Sequence, residues 1–354
     1  MQERFYCGYT IGENSYEQFN VVCKELGKNF LVVGGETALS VAYDKLIKNI
    51  SNDFTLVDKV VYGKECYEER AKELFFQYKD KNIDFVVGVG GGKAIDTSKL
   101  LADFLKKPVV TIPTIASTCA ASSALSVVYT KEHVFSKFAY YKKPPYHCFI
   151  DTKIICDAPY EFIRAGMGDT LAKHYEVTFS ARNRELDYQS QMGITISKMC
   201  NEPILKYGKN ALLAIKDKQI NKEAEQIILA IIISTGMVSM LINPDYNGAV
   251  AHALFYGFTV LDGFEESFLH GDVVGYCTAV QLAIDNNMDE AKRVIEFLRS
   301  INIETSLKQR NIPCDKNYLD KVLQSALNDP DMRVIPYEIT KDMLFAGIKA
   351  IEEL

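Results

Sequence analysis

The stretch that most narrows the possible folds runs from Ile83 to Leu105 and reads IDFVVGVGGGKAIDTSKLLADFL. Its opening residues are apolar and rich in β-branched side chains, as in a strand buried on both faces of a parallel sheet. Four glycines follow within five positions, Gly88 to Gly92, then a lysine. Apolar residues at helical spacing come next, with Ile95, Leu100, Leu101 and Phe104 on one side. Strand, glycine turn and helix in that order form one step of a parallel α/β sheet. The turn leaves N–H groups at the positive end of a helix dipole, and its bare backbone lets a phosphate come close. Two familiar phosphate motifs are excluded by spacing. A P-loop needs glycine at Val87 and a hydroxyl residue at Ala94, and the G-x-G-x-x-G fingerprint started by Gly88 and Gly90 meets Lys93 at its third glycine. A tight turn without a ligand uses the same residues, so the surrounding sequence has to decide.

That surrounding sequence repeats the pattern. Asn29–Gly35, Phe54–Gly63, Pro108–Thr114 and Tyr146–Thr152 read as further short strands, with helices over 36–50 and 66–80. From about Asp157 the texture changes to long helical patterns over 158–183, 185–215 and 221–241. A chain of 354 residues is expected to hold roughly two domains. The reading is a nucleotide-type parallel α/β domain over 1–157 and a helical domain over 158–354, with chemistry sought in the cleft between them.

Composition limits the partners. The net charge of −6 with no basic stretch disfavours nucleic acid and anionic membranes. No signal-like apolar segment opens the sequence and no apolar run is read as reaching the ~18 residues of a membrane span. Nine scattered cysteines without a C-x-x-C pair read as free thiols in a reducing compartment, so the expected location is the cytoplasm.

Three segments of the helical half carry candidate ligands. GMGDTLAKHYE places Asp169 after Gly-x-Gly at an expected helix start, NGAVAHALFYGFT sets His252 among apolar residues, and SFLHGDVVGYCTAV sets His270 before a glycine. One carboxylate and two imidazoles suit zinc or ferrous iron, with a position left open for substrate. A capping aspartate and two core histidines would leave the same trace. His133 and His147 fall near loops by pattern, and His174, five positions beyond Asp169, points off that residue's helical face.

Taken in order, GGGKAIDTSK, PTIASTCAASSALSVVYT, DTKI, GMGDTLAKHYE, AHALFYGFT and FLHGDVVGYCTAVQL resemble the glycerol dehydrogenase branch of the iron-containing (group III) alcohol dehydrogenases over about residues 5 to 350. The resemblance implies a Rossmann-like N-terminal domain and a helical C-terminal domain, the architecture of dehydroquinate synthase. It also implies NAD or NADP, one divalent metal (zinc or iron), a small-molecule substrate and a homo-oligomer. Carried across, the metal ligands fall on Asp169, His252 and His270, and the pyrophosphate turn falls on Gly91, Gly92 and Lys93. Further cofactor contacts fall on Thr114, Ser117, Ser123, Leu125 and Tyr129. The activity implied is hydride transfer between a hydroxyl-bearing carbon and the nicotinamide, with the metal as Lewis acid.

Three departures from the family pattern bear on specificity. Cys119 stands where glycerol-oxidising members carry an aspartate for the polyol hydroxyls, and Phe255 stands where they carry a second histidine. The expected substrate is a small vicinal diol or a 2-hydroxy acid, the latter gaining weight from Cys119, while Phe255 makes a polar cleft wall apolar; TCAA together with GDTLAK resembles the hydroxycarboxylate dehydrogenase offshoot, whose substrates are 2-oxo and 2-hydroxy acids. Gly35, followed by Glu36, stands where NAD-preferring relatives place an acid, which relaxes discrimination against NADP. A 3-dehydroquinate synthase or glycerol-1-phosphate dehydrogenase reading would require Lys and Arg around a substrate phosphate, and the stretches near the candidate ligands are poor in both.

Overall fold

The computed structural model describes residues 6–354 and resolves into two compact units. One runs to Pro159 and takes in Lys218–Ile220; the other comprises Tyr160–Asp217 and Asn221–Leu354.

The first unit alternates strands and helices. In chain order it contains β1 (Gly8–Ile11), α1 (Phe19–Cys23), β2 (Asn29–Gly34), α2 (Glu36–Asn49), β3 (Thr55–Val61), α3 (Glu68–Tyr78), β4 (Phe85–Gly90) and α4 (Gly92–Leu105). It continues with β5 (Val109–Pro113), β6 (Leu125–Tyr129), β7 (Phe135–Tyr140), β8 (His147–Ile150) and α5 (Thr152–Asp157). Six strands form one parallel sheet in the order β1-β8-β5-β4-β2-β3. Alternation along β2 shows why both faces are covered: Phe30 and Val32 pack towards α1 and α2, while Leu31 and Val33 pack towards α3 and α4. The α4 helix is buried from Ala94 to Ala102, well beyond the single apolar side read from its spacing. The sequence reading does not include β1, α1 or the β6–β7 pair. The β1 strand is only four residues long, and the Ser/Ala-rich segment ends in β6, which pairs antiparallel with β7 as a separate hairpin.

The second unit is helical: α6 (Tyr160–Ser180), α7 (Tyr188–Ser197), α8 (Glu202–Lys216), α9 (Lys222–Leu229), α10 (Thr235–Leu241) and α11 (Val250–Phe258). Then come α12 (Phe264–Ser267), α13 (His270–Ile284), α14 (Met288–Ser300), α15 (Asp320–Asn328) and α16 (Lys341–Glu352). A π-helical turn, Ala230–Ser234, joins α9 to α10. This corrects the expectation that no apolar run reaches membrane length, because Lys222–Leu241 is one 20-residue apolar helix. Its apolar stretch is 61% buried inside the protein, so its hydrophobicity serves the packing of the helical unit.

Candidate metal and dinucleotide sites

Asp169 lies in the middle of α6, a 21-residue helix, and not at a helix start as its Gly-x-Gly context suggested. The glycine before it serves a helix crossing. A Cβ on Gly168 would stand 2.2 Å from the Gly271 carbonyl oxygen, and one on Gly271 would stand 1.9 Å from the Ala165 oxygen. The α6 and α13 backbones therefore touch, which only glycine permits, and the residues beside these glycines are Asp169 and His270. Their side chains meet, with His270 Nε2 at 3.2 Å from Asp169 Oδ1.

His252, the third residue of α11, approaches the same oxygen with Nε2 at 3.4 Å. Its orientation is set by Glu176, two turns beyond Asp169 on α6. Glu176 is fully buried; its Oε2 accepts from His252 Nδ1 at 2.6 Å, and its Oε1 accepts the backbone N–H of Ala249 and of His252. Gln281 of α13 accepts the N–H of Ala251, so both neighbouring helices hold the start of α11. Candidate ligand atoms of Asp169, His252 and His270 all lie within 4.8 Å of one another.

The electrostatics of this cluster favour a cation. With the His252 proton on Nδ1, its Nε2 lone pair faces the carboxylate oxygen of Asp169, and two acceptors at that separation need a proton or a cation between them. Burial alone would raise the Asp169 carboxyl, but hydrogen bonds and charge from His252 and His270 outweigh it and hold the group well below the usual range. Burial likewise opposes charge on His252, yet Glu176 and Asp169 hold it well above the ordinary imidazole value. Behind Glu176, Asp331 packs against Gly248, and burial, then the Glu176 charge, pushes its carboxyl up to about 6. The donor set of one carboxylate and two imidazoles fits a divalent transition-metal ion. Phe255 packs edge-on against the His270 ring, with centroids 4.2 Å apart. His174 is set apart from the cluster and bonds to Ser197 Oγ at 2.7 Å.

In the first unit, Gly91 precedes α4 in extended conformation and no side chain caps that helix, so its first-turn N–H groups suit an anion. Gly90 has φ +148°, a conformation that favours glycine. Its carbonyl accepts the Thr114 N–H at 3.1 Å. The segment after β5 lies against the turn at Gly91, where a Cβ would sit 2.8 Å from Ile115 Cδ1, whereas one on Gly92 would sit at an ordinary 3.5 Å from Thr118 Oγ1. Gly35 precedes α2 beside the end of β4, and Glu36 is exposed at the first position of that helix. Lys93 Nζ lies 2.5 Å from Glu65 Oε2 and 5.3 Å from the Tyr129 ring centroid. His133 Nδ1 bonds to the same Glu65 oxygen at 2.8 Å. Ser117 and Cys119 are half-buried in the loop, whereas Ser123 is buried.

Sequence reasoning missed Glu176 and Glu65. The first had a legible signal, since an acidic residue seven positions after Asp169 returns to the same helical face. The second had none, because 28 residues separate Glu65 from Lys93.

The chain is similar to known proteins over nearly its whole length. The family described as iron-containing alcohol dehydrogenase matches residues 8–152. A glycerol dehydrogenase of Thermotoga maritima is 30% identical over 333 residues, 90% of either chain. Hydroxycarboxylate dehydrogenase A of Escherichia coli is 31% identical over 296 residues, 83% of this chain and 81% of its own. The crystal structure of glycerol dehydrogenase from Schizosaccharomyces pombe matches with a TM-score of 0.87 at 25% identity, covering 98% of this chain and 89% of that one. Similarity in sequence and in fold thus extends well past the N-terminal residues that the family description matches. This protein is an alcohol or polyol oxidoreductase that works with NAD and a metal ion, and its chain belongs to the iron-containing alcohol dehydrogenase family.

Proposed function

We propose that the protein transfers hydride between a small polyol or 2-hydroxy acid and NAD or NADP, with residues 1–157 binding the dinucleotide and residues 158–354 holding zinc or iron. The observation that carries this reading is the convergence of Asp169, His252 and His270 within 4.8 Å. When bound, the cation supplies Lewis acidity to a substrate oxygen, and the nicotinamide accepts or donates hydride. Asp169 contributes negative charge to hold the cation. Glu176 keeps the His252 proton on Nδ1 and so leaves Nε2 as a bare donor. Phe255 fixes the His270 ring by its edge contact and presents apolar surface where a polar side chain would hold water. Gly91 and Gly92 leave room for the pyrophosphate, Lys93 adds positive charge, and Thr114, Ser117, Ser123, Leu125 and Tyr129 would flank the remainder of the dinucleotide. With Gly35 in place of an acid, no carboxylate stands at that position to repel a 2′-phosphate, although Glu36 follows directly.

Cys119 favours the 2-hydroxy acid within this class. A thiol is a poor acceptor for a polyol hydroxyl, and a neutral group does not repel a substrate carboxylate. The nine free cysteines support a reducing compartment such as the cytoplasm, and the enzyme is proposed to work as a homo-oligomer.

The test is a screen of glycerol, 1,2-propanediol, lactate, 2-hydroxybutyrate and 2-oxoglutarate with both cofactors, on zinc-loaded and iron-loaded protein. A 2-hydroxy or 2-oxo acid is expected to give the highest kcat/KM; glycerol winning by a wide margin would refute the role given to Cys119. In parallel, His270→Ala should lose its metal while still binding NADH. Unchanged metal content in that variant removes His270 from the site.

A further inference from the structure

Lys99 has no part in the sites described so far, yet its surroundings are unusual for a lysine. It lies on α4, about two turns after Gly92, and its side chain is only 2% exposed. Its ammonium donates to the carbonyl oxygens of Ala120 at 2.8 Å, Ser123 at 3.3 Å and Leu125, and pairs with Asp96 Oδ1 at 2.9 Å. Asp96 in turn accepts the Val127 N–H on Oδ2, and its backbone carbonyl accepts from Ser126 Oγ, each at 3.0 Å. Thr111 Oγ1 donates to the Ala121 carbonyl at 2.6 Å. One buried charge therefore gathers the carbonyls of a segment that forms no regular ladder between Thr114 and Ala124. Burying an ammonium is costly, and a buried lysine is retained only where its donors are all used, as they are here.

The same segment packs close to the glycine turn at Ile115, whose Cδ1 lies 2.8 Å from where a Cβ on Gly91 would stand. The α4 helix thus holds two things in fixed relation: the turn at its N-terminus and, through Lys99, the loop that follows β5. We propose that Lys99 is a positioning residue for the nicotinamide half of the dinucleotide, setting the loop at the distance from the turn that the cofactor requires. This rests on the reading that Gly91 to Lys93 take the pyrophosphate and that the loop flanks the nicotinamide ring. Without the ammonium, three carbonyls and a carboxylate lose their common donor and the loop relaxes, while the turn itself keeps its geometry.

The experiment compares NADH with ADP-ribose, which keeps the adenosine, pyrophosphate and second ribose but lacks the nicotinamide. Lys99→Met should weaken NADH binding by about tenfold or more and ADP-ribose binding by less than about twofold, with metal content unchanged. Equal losses for both ligands, or no loss for NADH, would overturn the proposal. If Lys99→Met does not fold by circular dichroism, Ser126→Ala decides, since it removes only the hydroxyl bonded to the Asp96 carbonyl and to Tyr141. It should show a smaller loss confined to NADH, and wild-type NADH affinity there would sink the idea. Gly92→Ala tests the parent reading separately: its methyl would sit 3.5 Å from Thr118 Oγ1, an ordinary contact, so the fold tolerates it while a phosphate does not. Loss of both ligands in Gly92→Ala with no effect in Lys99→Met defeats only the Lys99 inference. Normal binding of both ligands in Gly92→Ala defeats the pyrophosphate assignment.

Discussion

Glu176 accepts three hydrogen bonds beside the Asp169–His252–His270 cluster, and all three come from residues 249 to 252. Its two oxygens set the start of α11 and the tautomer of His252 at once, so the imidazole is oriented before any cation arrives. Glu176→Gln keeps the size and an acceptor but removes the charge that favours the Nδ1 proton. Metal affinity in a chelator competition is expected to fall by about 10- to 100-fold, the usual effect of losing a carboxylate behind a ligating histidine. NADH binding should not change. Wild-type metal affinity in Glu176→Gln would show that His252 is oriented by α11 alone.

At the scale of elements, the α6–α13 crossing is what turns two residues 101 positions apart into neighbours. Gly168 and Gly271 let the helix backbones touch, and Arg164 pairs with Asp272 just beside that contact. A methyl on Gly168 would stand 2.2 Å from the Gly271 oxygen, so the helices must separate. Overpacking of this kind costs about 1–3 kcal/mol. Gly168→Ala should therefore lower the thermal midpoint of the helical unit and weaken metal binding together, as followed by calorimetry and metal titration. A variant that is less stable yet binds metal normally would show that the crossing does not set the spacing of Asp169 and His270. The glycines were visible in the sequence, but a Gly-x-Gly before a polar residue reads locally as a turn. Only the partner helix reveals that their role is close approach.

For the whole molecule, the two candidate sites belong to different units. Asp169, His252 and His270 all lie on helices of the second unit, while the glycine turn and the loop after β5 belong to the first. Hydrogen exchange should therefore separate the two ligands. Added zinc is expected to slow exchange in α6, α11 and α13, and NADH to slow it over 90–95 and 114–125. Zinc protection confined to 90–95, with none in α13, would place the cation elsewhere. The apolar helix Lys222–Leu241 carries a related lesson, since its composition resembles a membrane span and its surroundings are protein.

The sequence alone determined the parallel α/β half, because short continuous apolar runs rich in β-branched residues and closed by glycines leave few other ways to bury both their faces. It also supplied the residue types of the candidate metal cluster and the glycine turn, which are local and chemically distinctive. Tertiary structure decided what depends on long-range contact: that Glu176 orients His252, that Glu65 meets Lys93, that Lys99 gathers the carbonyls of a loop 21 to 26 residues away, and that Asp169 sits mid-helix. Buried charges are satisfied by whichever partners the fold brings within about 3 Å, and sequence spacing does not encode those distances.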